Sequence, residues 1–201
     1  MSSAASSPRA ELAARLGRVL LDPAAASQLD VHGRTDAAVL VPLFVAGDGE
    51  VHAVFTRRRD DLRRHPGEIS FPGGRRDPED ASLTATALRE ADEEIGLSPS
   101  AVEVVGALQP TPTIATGYAV YPFVGLIEPG LEWTLSADEV HSVLELSLSD
   151  LRAGFARQRL MRRGVPFRTD TYVVGDELIW GATARILGDL LERLDLAAAA
   201  A

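Results

Sequence analysis

Apolar positions change period several times along the chain, and each change marks an element. Leu12, Leu16, Val19 and Leu20 are spaced as on one helix face behind Pro8, so residues 8–21 predict a packing helix with proline in its first turn. Residues 38–46 and 51–56 are β-rich and are separated by Gly47-Asp48-Gly49, which reads as a hairpin. A short strand is expected at 69–71, a helix ending at Gly96, and strands at 102–108 and 118–127. Residues 139–148 alternate apolar and polar, as a half-buried strand does. A short helix at 149–155, strands at 169–174 and 178–180, and a helix at 182–194 complete the reading. Ile186, Leu190, Leu191 and Leu194 form the packed side of that last helix, and the alanine tail from Ala197 is expected to fray. The mixture predicts an α/β protein whose mixed sheet is covered on both sides. It is read as one domain over residues 1–201, with 1–34 as an N-terminal helical extension.

The helix before Gly96 carries the unusual chemistry. Glu90, Glu93 and Glu94 stand at i, i+3 and i+4, which at about 3.6 residues per turn places three carboxylates in one sector. Like charges so close repel, and a hard divalent cation with oxygen ligands, Mg²⁺ or Mn²⁺, is the simplest neutraliser. Thr84, Leu88, Ala91 and Ile95 form a second stripe for the core, well over a quarter-turn away. Asp80 or Ser82 suits the N-cap, and Gly96 suits a left-handed stop. A solvated acidic face is the alternative; the Gly73-Gly74 pair upstream, Arg89 and Gly96 argue against it.

Composition removes several classes. No apolar run reaches membrane-spanning length, the longest being residues 37–46, so no membrane association is expected. Residues 1–9 lack the basic and apolar regions of a secretory signal, and there are no cysteines; a cytoplasmic protein is expected. All 20 basic residues are arginine, which excludes lysine nucleophiles and Schiff bases. A net charge of −9 argues against nucleic-acid binding. Arginine is nevertheless concentrated at Arg57, Arg58, Arg59, Arg63 and Arg64, followed by His65, Arg75 and Arg76. Guanidinium forks match phosphate oxygens, so a small polyanion is the expected partner of this segment. A second cluster at residues 157–163, with Arg168, matches no motif and reads as solvated.

Arg89 to Leu97 reads R-E-A-D-E-E-I-G-L and resembles the signature of the Nudix hydrolases, G-x5-E-x7-R-E-U-x-E-E-x-G-U. The left half departs from that pattern. Gly74 plus five residues reaches Asp80, and eight residues rather than seven then precede Arg89, as if the loop held one extra residue. Upstream, Thr56, Arg58, Arg63, Gly67 and Phe71-Pro72-Gly73-Gly74 fall in register with a signature similar to that of the coenzyme A pyrophosphatase branch. Asp77 and Asp80 resemble the longer loop of that branch. Val54-Phe55 replaces its leucine pair, and Arg59 stands where a small residue is expected. Less specific likeness extends from about Ala38 to Leu191 through Thr116-Gly117-Tyr118 and residues 179–183.

The resemblance implies the Nudix α/β/α sandwich and metal-dependent cleavage of a pyrophosphate bond. Glu90 and Glu94 are then the expected principal metal ligands, with Glu93 as third ligand or water contact and a carbonyl near Gly74 added. Arg89 is expected to orient a glutamate. The general base is expected outside the acidic helix at Glu139, with Asp138 and Glu132 as rivals. Arg57, Arg58, Arg63 and Gly73 are the expected substrate contacts. His52, His65 and His141 are not expected as ligands, because this chemistry favours oxygen donors. Coenzyme A or a derivative is the implied substrate; ADP-ribose, NADH or a nucleoside triphosphate, or a non-catalytic nucleotide sensor, are the alternatives.

Overall fold

The computed structural model describes residues 7–59, 61, 67–113, 117–162 and 164–199, with the side chains of 162 and 165 set aside. Its elements run α1 (Pro8–Gly17), α2 (Pro23–Ala26), β1 (Thr35–Val45), β2 (Val51–Arg58), β3 (Ile69–Ser70), β4 (Gly73–Arg75) and α3 (Leu83–Ile95). There follow β5 (Glu103–Ala107), β6 (Thr111–Pro112), β7 (Tyr118–Leu126), β8 (Val140–Ser147), α4 (Leu148–Ala153), β9 (Phe155–Arg162), β10 (Val165–Val174), β11 (Glu177–Trp180) and α5 (Gly181–Ala199).

The main sheet has the order β3-β2-β1-β7-β5, with β4 on β1, β6 on β7 and β8 on β2. It is mixed, because β1 and β7 run parallel over nine residue pairs from Thr35↔Tyr118 to Leu43↔Leu126 while the other pairings are antiparallel. Strand β1 is buried on both faces and so reads as a continuous apolar run rather than an alternation. Ala37, Val41 and Leu43 face a core completed by Leu12 and Leu16 of α1, Leu151 of α4, and Ile186, Leu187 and Leu190 of α5. Ala38, Leu40 and Phe44 face the opposite core, with Leu83, Ala87, Ala91 and Ile95 of α3. Helices thus cover both faces, and the fold is the expected α/β sandwich. A smaller antiparallel sheet, β11-β10-β9, adjoins it. No helix among the described residues is long and apolar enough to cross a membrane.

Several expectations are corrected. The packed stripe of α3 is turned toward the glutamates: Leu83, Ala87, Ala91 and Ile95 are buried, whereas Thr84 and Leu88 are half-buried. The last helix runs past the expected end at residue 194 to Ala199, and Ala197 is fully buried on it. The short helix ends at Ala153, and Phe155 begins an unexpected strand, β9, whose arginine-rich sequence hides the alternation. β10 starts earlier than expected, because it pairs with β9 from Val165↔Arg162 onward. The first helix stops at Gly17, and Leu21 instead bridges to Ala107. The short elements α2, β4 and β6 were also unexpected, being too brief to leave a periodic signal.

Candidate active site on the acidic helix

Helix α3 is set by its caps. The Ser82 hydroxyl accepts from the Ala85 N–H at 3.1 Å, and Gly96 ends the helix at φ 70°. Asp80 is therefore not the cap; it is the anchor of Arg89. Arg89 Nε donates to Asp80 Oδ1 and Nη2 to Oδ2, both at 3.0 Å. Thr86 Oγ1 at 2.8 Å and the Asp77 N–H at 2.9 Å also donate to Asp80 Oδ2. These donors hold the Asp80 carboxyl well below the usual carboxylate range, the Arg89 fork contributing most. Asp80 and Thr86 were not recognised as a unit in the sequence; the acid in the extended loop was the available signal.

With one edge of its guanidinium fixed, Arg89 presents Nη1 to the glutamates. That nitrogen lies 3.0 Å from Glu90 Oε1 and 3.0 Å from Glu93 Oε2. Glu93 points outward, its side chain 60% exposed, while the Glu90 side chain is 18% exposed. Glu94 is buried at 6% residue exposure, in the middle of the face that packs on the sheet. Its Oε2 accepts from the Gly73 N–H at 3.2 Å. Burial pushes the Glu94 carboxyl up to about 8; Glu90 and Glu139 add to this, and the Gly73 N–H and Arg58 oppose it. Burial also raises Glu90, against the pull of Arg89.

The two glycines explain how the loop reaches this face. A Cβ on Gly73 would lie 2.3 Å from the Ala38 carbonyl oxygen, and one on Gly74 would lie 2.5 Å from the Glu90 carboxylate. Only residues without a Cβ let β4 pair with β1 and still pass against α3. Gly73, expected as a substrate contact, spends its N–H on Glu94.

Strand β2 brings the arginines in alternation. Arg58 faces the carboxylates, with Nη1 3.6 Å from Glu139 Oε2, and lowers Glu94 by its charge. Arg57 points to the opposite side, where Nη1 lies 3.2 Å from Glu177 Oε1 of β11, so it is not gathered with Arg58. Arg63 lies outside the described residues, as do Arg64, His65 and Thr116. Glu139 precedes β8 and faces Arg58; Asp138 is exposed next to it and Glu132 is exposed further back in the same connection. A cleft of about 340 Å³ opens beside this turn, lined by Arg59, Asp61, Ala137, Val140 and His141.

Among the described residues, no three acidic or imidazole side chains are gathered closely enough to enclose an ion. Glu93 turns to Arg89, leaving Glu90 and Glu94 as the inward pair. The donors still suit a hard cation. They are carboxylate oxygens, and burial beside Glu90 and Glu139 disfavours the charge on Glu94 unless a cation accompanies it.

Comparison with known proteins gives the family. Residues 34–163 match the model of the NUDIX domain. A protein of Enterobacter sp. (strain 638), called an uncharacterized Nudix hydrolase NudL, is 40% identical over 163 residues, covering 80% of this chain and 83% of its own. One of the same name from Citrobacter koseri is 43% identical over 159 residues, covering 78% and 81%. The crystal structure of a MutT/nudix family protein from Enterococcus faecalis superposes with a TM-score of 0.51 at 14% identity, over 83% of this chain and 64% of that one, a likeness of fold. The chain belongs to the Nudix family of hydrolases, enzymes that act on phosphorus-containing anhydrides and generally use divalent metal ions.

Proposed function

We propose that this enzyme hydrolyses the pyrophosphate bond of coenzyme A or a coenzyme A derivative in the cytoplasm, with Mg²⁺ or Mn²⁺, giving 4′-phosphopantetheine and adenosine 3′,5′-bisphosphate. The observation that carries the reading is the position of Arg58. It belongs to the segment that resembles the coenzyme A signature, and it faces Glu94 and Glu139 across the site. The extra 3′-phosphate of this substrate gives a guanidinium at that place a partner.

Glu90 and Glu94 would hold the metal, with Glu93 as third ligand or water contact and a carbonyl near Gly74 beside them. Bound there, the metal neutralises phosphate charge and acidifies a water. The chain supplies the remaining functions. Arg89, fixed by Asp80, holds Glu90 and Glu93 in place. The Gly73 N–H orients Glu94. Glu139 takes the proton of the attacking water as its oxygen bonds to phosphorus; the bridging P–O bond breaks, and the departing phosphate keeps the electron pair. Arg58 grips a phosphate oxygen. The intact set Glu90, Glu93 and Glu94 favours catalysis over a sensing role.

The test is kcat/KM with Mn²⁺ or Mg²⁺ across coenzyme A, acyl-coenzyme A, oxidised coenzyme A, ADP-ribose, NADH and nucleoside triphosphates, with products identified by mass spectrometry. Preference for a coenzyme A species by about tenfold or more, roughly 1.4 kcal/mol in transition-state binding, is the expected result. Equal turnover of ADP-ribose would remove the substrate claim while leaving the hydrolase intact.

A further inference from the structure

The geometry points to Arg59 as the positioning residue that clasps the turn carrying Glu139. This rests on Glu139 serving as the base proposed above.

The Glu139 side chain is 52% exposed, and Arg58 at 3.6 Å is a loose partner. A base with that freedom needs its backbone held. One end of its connection is tied to the acidic helix: the Thr134 N–H donates to the Ile95 carbonyl at 3.0 Å and the Ser136 N–H to the Glu94 carbonyl at 2.9 Å. From Ser136 the chain turns, with Glu139 and Val140 N–H groups both returning to the Ser136 carbonyl at 3.1 and 2.9 Å. The other end is tied to Arg59. Its N–H donates to the Glu139 carbonyl at 3.1 Å, and its Nη1 donates to the Ala137 carbonyl.

The guanidinium is itself braced, because Nε and Nη2 fork onto Asp61 at 2.9 and 2.7 Å. A planar fork can grip a carboxylate with two parallel N–H bonds on one edge and a carbonyl on another; an ammonium has no such bidentate edge, and a small side chain reaches neither. A register shift in the β2–β8 ladder lets this happen. Arg57 pairs with Ser142 but Arg58 with Val140, so His141 is the extra residue of a bulge. The bulge leaves Arg58 facing the carboxylates and delivers Arg59 to the turn. The resembled signature has a small residue at this position, so the clasp is a feature of this chain's own residues. The Arg59 side chain is 38% exposed and that of Asp61 65%, so their pair adds little stability and its effect is one of placement.

The test combines Arg59→Ala, Arg59→Lys, Glu139→Gln and the double variant Arg59→Ala/Glu139→Gln. Each is assayed with Mn²⁺ on coenzyme A and on ADP-ribose, and amide hydrogen exchange is read at Glu139 and Val140. Arg59→Ala should lower kcat about 10- to 100-fold with KM within about twofold, the scale expected of a displaced catalytic group. Arg59→Lys should recover part of the loss, and exchange at Glu139 and Val140 should speed up in Arg59→Ala. In the Glu139→Gln background the same substitution should change kcat less than about twofold, since it acts through Glu139. An equal loss in both backgrounds, an unchanged kcat, or unchanged amide protection would overturn the clasp. Full activity of Glu139→Gln would instead remove the base assignment, and the clasp with it. Loss of coenzyme A preference alone touches neither, because the cycle reads out equally on ADP-ribose.

Discussion

Asp80 and Arg89 meet in a two-point fork, Nε to Oδ1 and Nη2 to Oδ2, and this pair sets the direction in which Arg89 reaches Glu90 and Glu93. The Asp80 side chain is 7% exposed, so the fork is shielded on the acid's side. Asp80→Asn should therefore lower stability at neutral pH by roughly 2 kcal/mol. It should also lower kcat, by releasing the guanidinium that holds the glutamates.

The same pair predicts a pH dependence. Asp80 titrates below its ordinary value near 3.8 in the folded protein, so the unfolded chain binds its proton first on acidification. Its contribution is complete above about pH 4 and is lost as pH falls further toward the folded value. Urea unfolding of the wild type and Asp80→Asn at pH 7, 5, 4 and 3 should show a constant gap down to about pH 4 that narrows below it. A gap that widens toward acid would contradict the fork.

Glu94→Gln should abolish turnover, by about 10³-fold or more, and leave the fold intact, because it removes a charge that burial already disfavours. Metal-free Tm should be equal to or above that of the wild type. Mn²⁺ at about a hundred times its Kd should stabilise the wild type by about 2.7 kcal/mol and the variant far less. Unchanged activity in Glu94→Gln would sink the ligand assignment.

Gly73→Ala and Gly74→Ala should fail differently. The first drives a Cβ into the Ala38 backbone, which cannot yield, and should destabilise by about 1–3 kcal/mol or more. The second meets a side-chain carboxylate, Glu90, and should keep most of the stability while turnover collapses. Thermal melts beside initial rates separate the two.

Arg58→Ala should raise KM about tenfold or more, whereas Arg57→Ala should leave KM within about twofold and cost at most about 1 kcal/mol with its Glu177 partner. A large KM effect at Arg57 would mean that substrate reaches the far side of β2.

Much of this was legible in the sequence. The acidic helix, its Ser82 or Asp80 start and its Gly96 stop follow from capping chemistry, and the helix falls where they place it. The hairpin of β1 and β2 and the strands β5, β7 and β8 follow from period and composition. The hairpin arm β9 was not legible, because Arg157, Arg159 and Arg162 carry no apolar period and become a strand only by pairing with β10. The extension of α5 past residue 194 is hidden for a related cause: a run of alanine has no contrast, and only the docking of α5 on the core shows its buried side.

The sequence by itself determined the chemistry: three glutamates on one helix with an arginine beside them, downstream of a glycine pair, and arginines on the strand before. Those are properties of spacing within single elements. Which carboxylate is buried, which arginine faces it and what holds the Glu139 turn were decided by tertiary structure alone. Periodicity counts Glu94 as polar and leaves its burial open; the close approach of β4, permitted by Gly73 and Gly74, folds it inward. Strand alternation separates Arg57 from Arg58, and a bulge at His141 sends Arg59 to the Glu139 turn. Each of these depends on contacts between segments distant in the chain, which no local pattern encodes.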